Sequence, residues 1–231
     1  MRSCGIIGGI GPESTIDYYR SIIAGYRSRR PDGGYPHLII DSLDVDKGIA
    51  MLDDGRLDDL VDYLAKGIDR LVRAGADFAF MAANSPHLVF DEVQRRSTIP
   101  LLSIVRATGD YARARGFKKV GLFGTGFTMR ADFYPREFQR AGISIVRPKQ
   151  PEQEFIHGIY IGELLKNKFL ANTRTEILRI AQRMKGEDGI EAVVLAGTEL
   201  PLLLRDSAPP GIEFLDTTVI HVDAIVNELL A

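Results

Sequence analysis

The sequence predicts an α/β fold made of two similar halves, each a parallel sheet flanked by helices. Three observations carry this. Eight short apolar runs alternate with longer amphipathic stretches. Glycine or small polar residues follow several of the runs, as at strand-to-helix turns. Two strand–turn pairs also recur at nearly one spacing. "CGIIGGIGPE" from Cys4 resembles "VGLFGTGFTM" from Val120, and "FAFMAANSPH" from Phe78 resembles "AVVLAGTELP" from Ala192, offsets of 116 and 114 residues.

In chain order the predicted strands are Cys4–Gly8, Leu38–Asp41, Phe78–Ala82, Leu101–Ile104, Val120–Gly124, Ile143–Val146, Val193–Leu195 and Glu213–Leu215. Runs that are apolar throughout suit parallel strands covered on both faces. Between them Asp58–Arg73 reads as a helix, because Leu60, Val61, Leu64, Ile68, Leu71 and Val72 recur at helical spacing. The expected domains are 1–105 with 213–231, and 106–212. Ligands of open α/β sheets bind beyond the carboxyl ends of the strands, so the turns there hold the candidate residues.

The first turn runs Gly8-Gly9-Ile10-Gly11-Pro12-Glu13-Ser14-Thr15. Its glycines permit a tight turn and amides opening a helix attract anions, so the turn either binds a carboxylate or phosphate, with Gly9 and Ile10 as substrate-binding candidates, or simply joins strand to helix with no ligand. A dinucleotide fingerprint would need glycine where Ser14 stands. In the second turn, Asn84 and Ser85 either hold a carboxylate or cap the next helix, and His87 is either an acid/base group or a packing residue. In the third, the hydroxyls of Thr125 and Thr128 either cradle a carboxylate or close a local turn. The fourth carries Thr198 and Glu199, the latter either a general base or a first-turn residue favouring the helix dipole. His157 and His221 read as structural, and Asp216 or Thr217 as a helix cap.

Composition narrows the partners. The chain has 231 residues, 45% hydrophobic and 26% charged, with 29 Lys+Arg against 31 Asp+Glu. That balance supplies no strong field for nucleic acid or an anionic membrane. A small molecule is the expected partner. No apolar run reaches the roughly 18 residues that span a bilayer, and the Gly-rich turn interrupts the N-terminus too early for a secretory leader, so a cytoplasmic protein is expected. Cys4 is the single cysteine, which excludes an intramolecular disulfide or a multi-cysteine metal site, and no His/Asp/Glu spacing suggests a metal.

The motifs "GIIGGIGPESTIDYY", "MAANSPH", "LFGTGFTM", "AGTELPLLL" and "FLDTTVIHVDAIV" together resemble the aspartate/glutamate racemases over essentially the whole chain. The resemblance implies two pseudo-symmetric α/β domains with the active-site cleft between them, and a homodimer. It also implies racemisation without pyridoxal phosphate or any other cofactor, by two cysteines on opposite faces of an amino-acid α-carbon. Those catalytic positions fall on Ala83 and Gly197, neither of which carries a proton. Asn84, Ser85, Thr125, Thr128 and Thr198 match the substrate-anchoring positions. The expectation is therefore a protein binding a small amino acid or (di)carboxylate, with His87 or Glu199 as acid/base group. The alternatives are a lyase, decarboxylase or isomerase working through one such group, or a non-catalytic carboxylate-binding homologue.

Overall fold

A computed structural model describes residues 2–30, 33–204 and 207–231. The first half runs β1 (Ser3–Gly8), α1 (Pro12–Arg29), β2 (His37–Ser42), α2 (Val45–Asp53), α3 (Leu57–Arg73), β3 (Phe78–Met81), a 3-10 turn (Ser85–Val89), α4 (Phe90–Arg96), β4 (Leu101–Leu102) and α5 (Ile104–Ala114). The second runs β5 (Lys119–Gly124), α6 (Gly126–Arg130), α7 (Phe133–Arg140), β6 (Ser144–Val146), α8 (Gln150–Gly162), α9 (Ala171–Arg183), β7 (Ala192–Ala196), α10 (Leu200–Leu204), β8 (Glu213–Asp216) and α11 (Thr217–Leu230).

Two four-stranded parallel sheets result, ordered β2-β1-β3-β4 and β6-β5-β7-β8. The fold is α/β as the sequence predicts. The internal repeat is reproduced at the level of register: Cys4 pairs with Phe78 in one sheet and Val120 with Ala192 in the other. These are the residues at which the two repeated strings begin. In both sheets the strand order reverses between the first and third strands, the switch point at which such sheets bind ligands.

The continuous apolar strands are explained by burial on both faces. Ile7, Ala79 and Met81 pack with Leu60, Leu64, Ile68 and Leu71 of α3. Their neighbours Cys4, Ile6, Phe78 and Phe80 face Tyr18 and Ile22 of α1 and Ile225 and Val226 of α11. In the second sheet Phe123, Val193 and Leu195 pack with Ile156 and Tyr160 of α8 and with Ile177 and Ile180 of α9.

Most strand ends lie within a residue of expectation, as where Ala82 falls outside β3 and Ile143 outside β6, and two features differ further. The strand expected over Leu101–Ile104 stops at Leu102, and Ile104 opens α5, its N–H donating to the ring of His87 at 3.3 Å. Strand β8, grouped by the sequence with 213–231 of the first domain, pairs with β7 of the second sheet. Contacts divide the chain into Met1–Ile104 with His221–Ala231, and Val105–Ile220. No helix among the described residues is long and apolar enough to cross a membrane.

Candidate functional site

Each sheet places two of the candidate turns side by side at its switch point. In the first, Ser14 Oγ near the start of α1 donates to the carbonyl of Ala82 after β3, at 2.8 Å, tying the two turns together. Gly9 adopts φ +76, and a side chain there would run into the Leu43 backbone. Its amide donates to Thr15 Oγ1 at 2.9 Å, and Thr15 Oγ1 donates to the Gly11 carbonyl at 3.0 Å. The amide expected to bind substrate is thus spent on closing the turn. Ile10 is half-buried and packs against the apolar cluster under α3.

His87 is buried, and both ring nitrogens serve the backbone. Its Nδ1–H donates to the Ala83 carbonyl at 3.0 Å, its Nε2 accepts the Ile104 N–H, and the ring stacks on Phe90 with centroids 5.2 Å apart. His87 thus fastens the turn after β3 to the start of α5, the packing alternative that the sequence leaves open beside acid/base work. Asn84 is also buried and makes no side-chain cap bond to the following 3-10 turn, while Ser85 is half-buried. His221 is fully enclosed, its Nδ1 accepting from the Tyr18 hydroxyl at 2.9 Å and its Nε2–H donating to the Leu102 carbonyl at 3.3 Å. Burial, and then the electrostatic influence of the neighbouring His87 ring, push its pKa down to about 3, against the opposing pull of the Leu102 carbonyl.

In the second sheet Thr125 caps α6, accepting the Thr128 N–H at 3.2 Å, with the two hydroxyls 3.1 Å apart. Both hydroxyl oxygens take part in closing the turn, and one of their two protons is left over. The β7 turn is different. Glu199 Oε2 accepts from the Thr198 hydroxyl at 2.9 Å and from the hydroxyl of Tyr160 on α8. Burial, and then the adjacent Glu199 carboxylate, hold the Tyr160 phenol well above its ordinary pKa, so it remains a protonated donor. Gly197 accommodates this contact: a Cβ there would stand 2.5 Å from the Tyr160 oxygen and 2.6 Å from Cε2.

Tyr160 stands with His157 in the helix-like segment "EFIHGIYIGELL", which the sequence offers only as a weaker candidate. It lies 39 positions before Glu199, on a helix whose apolar pattern announces only packing. His157, read as structural, stands one helical turn away and accepts the Gly126 N–H at its Nδ1, at 3.2 Å. Asp216 caps α11, accepting from the amides of Thr218 and Val219, and Thr217 Oγ1 donates to the Leu195 carbonyl at 2.9 Å. Thr218 Oγ1 is buried without a hydrogen-bond partner among the described residues. No cluster of three His, Cys, Asp or Glu side chains suited to a metal occurs among those residues.

A family model described as Asp/Glu/Hydantoin racemase matches residues 7–225. The chain belongs to that family. A computed overlay on the crystal structure of an aspartate racemase homologue from Pyrococcus horikoshii OT3 covers all of both chains, with 35% identity and a TM-score of 0.86. A candidate Asp/Glu racemase from Yersinia pestis is also covered completely, at 28% identity and a TM-score of 0.94. The chain is 26% identical over 160 residues to the broad specificity amino-acid racemase RacX of Bacillus subtilis (strain 168), spanning 64% of this chain and 66% of that one, just under two thirds of the relative's length. This racemase-family chain holds a single cysteine, Cys4. Cys4 is buried in β1 at the end opposite the turns, and burial raises its thiol pKa far above the ordinary value.

Proposed function

We propose that this protein is a cofactor-independent enzyme of the racemase family that binds a small amino acid or (di)carboxylate and moves a proton on one side of it. Glu199 is the general base. The observation carrying this reading is the Tyr160 hydroxyl, which fills the space a side chain at Gly197 would need and bonds Glu199; Gly197 is the position that the resemblance matches to a family thiol. Two hydroxyl donors fix Oε2 of Glu199 and leave Oε1 as the proton acceptor. Tyr160 is a positioning residue, kept protonated by burial. Ala83, matched to the other thiol, offers no proton carrier, and His87 is engaged with the backbone. One base without an opposing acid fits lyase, decarboxylase or single-base isomerase chemistry better than two-thiol racemisation. Asn84 and Ser85 are the proposed anchors, while Thr198 spends its hydroxyl proton on Glu199.

The test is incubation of L- and D-aspartate and glutamate, and of a panel of small dicarboxylates, in D₂O with proton NMR detection. Exchange or turnover is expected for at least one acid, falling about 10²–10⁴-fold in Glu199→Gln. Tyr160→Phe should lower kcat with little change in KM, the sign of a positioning role. Wild-type turnover in Glu199→Gln would remove Glu199 from the chemistry. Saturable binding with no turnover of any acid would instead establish the non-catalytic homologue.

A further inference from the structure

One turn of α8 before Tyr160, a second group of donors gathers at the third turn. His157 Nδ1 accepts the Gly126 N–H, so the neutral ring carries its proton on Nε2. That Nε2–H has no hydrogen-bond partner among the described residues. Arg130 ends α6, is exposed, and makes no ion pair among those residues, whereas Arg106 and Arg140 pair with Glu137, Arg147 with Asp132, and Arg183 with Glu152. Arg130 and His157 close on the same glycine: a Cβ on Gly126 would lie 2.9 Å from Arg130 Nη1 and 3.1 Å from His157 Cγ. Any other residue at 126 would push them apart.

We infer that Arg130 and His157 form a carboxylate subsite at the carboxyl end of β5. The inference rests on the reading that the second-unit turns bind a small acid, and it supplies what that reading lacks. Of the two hydroxyl protons of Thr125 and Thr128 one is spent between them, and Thr125 Oγ1 also accepts the Thr128 amide. Beside the one threonine proton left over, the guanidinium and the imidazole Nε2–H add two donors without a partner among the described residues, one of them charged and forked to match a carboxylate. The substrate is then an acid whose carboxylate is bound here while the proton moves at Glu199, and neutral amides or uncharged hydantoin rings are disfavoured.

Calorimetric titration of the full chain with succinate and with its uncharged diamide, succinamide, tests the subsite. Succinate should bind the wild type more tightly than succinamide. Arg130→Gln should weaken succinate about 10- to 100-fold, as expected for loss of a charge-assisted contact, with Arg130→Lys retaining part of the affinity and His157→Gln losing less than Arg130→Gln. Succinamide should not respond to Arg130→Gln. Circular dichroism checks that each variant is folded, and Arg130, being exposed, leaves no cavity. Unchanged succinate affinity in Arg130→Gln and His157→Gln overturns the subsite, as does failure of the wild type to bind succinate, aspartate or glutamate. The D₂O assay reads proton transfer and this titration reads binding: unchanged affinity in the variants removes the subsite alone, and only failure of the wild type to bind any acid removes both proposals.

Discussion

The hydroxyl of Tyr160 and the α-carbon of Gly197 share space that only one side chain can fill, for a Cβ at 197 would stand 2.5 Å from that oxygen. The exclusion extends to the ring, with Cε2 at 2.6 Å and Cζ at 2.9 Å. A thiol at 197 therefore requires Tyr160 to leave its hydrogen bond with Glu199.

Introducing Gly197→Cys alone should accordingly destabilise the protein by about 1–3 kcal/mol, the usual range for overpacking a filled core. Because the ring atoms are in the way as well as the oxygen, Tyr160→Phe should give little relief, whereas Tyr160→Ala should. Urea denaturation of Gly197→Cys, Tyr160→Ala and the double variant measures this. The double variant should be more stable than the sum of the single losses predicts, since the two residues are in contact.

His87→Ala should lower stability without the signature of a lost catalytic group. It removes a buried ring and leaves the Ala83 carbonyl and the Ile104 N–H without this partner, a combined cost of about 2–5 kcal/mol. Thermal melting reads the loss. Turnover per folded molecule, measured well below the melting temperature, should stay within a few-fold of wild type. A drop of 10² or more would return His87 to the chemistry.

The architecture was legible because its causes are local and repeated. Strands such as Phe78–Met81 are buried on both faces, so they read as unbroken apolar runs. The recurrence of Cys4 and Phe78 at Val120 and Ala192 followed from the same pairing in both sheets. The end of β4 was not legible, since Ile104 is drawn into α5 with its N–H held by a distant histidine ring. The candidate turns were found for the same reason as the strands, being marked by glycine and small polar residues. What each group does there depended on partners far along the chain. Thr15 takes the Gly9 amide, the backbone takes both nitrogens of His87, and Tyr160 reaches Glu199 from a helix with no motif of its own.

Stability should fall with acid in a way that His221 helps to set. Its folded pKa of about 3 lies below the unfolded value of 6.5, so the unfolded chain binds the proton first. The contribution is present above pH 6.5 and is lost as pH falls through that value toward 3, by up to about 1.4 kcal/mol per pH unit. Urea titrations at pH 7 and pH 5 should show wild type losing more stability than His221→Gln. The variant, lacking the bond from Tyr18 and the titrating ring, should be weaker at pH 7 but flatter with pH. Equal slopes would assign the acid sensitivity to other groups.

Thiol chemistry gives the cleanest separation of this protein from a two-cysteine mechanism. Cys4 is fully buried in β1, its Sγ directed at the Gly5 carbonyl at 3.7 Å, and burial raises its pKa, so the thiolate needed for attack on an alkylating agent is scarce and inaccessible. Iodoacetamide at neutral pH should leave the folded protein unmodified and any turnover intact. Modification should appear only in denaturant, at a rate that tracks global unfolding, because β1 pairs on both sides within its sheet. Mass spectrometry of the intact chain after timed exposure measures this directly. Cys4→Ala should behave likewise, retaining turnover while losing some core packing. Rapid inactivation of the native protein by iodoacetamide, abolished in Cys4→Ala, would mean that the one thiol takes part in the reaction and that Glu199 does not act alone.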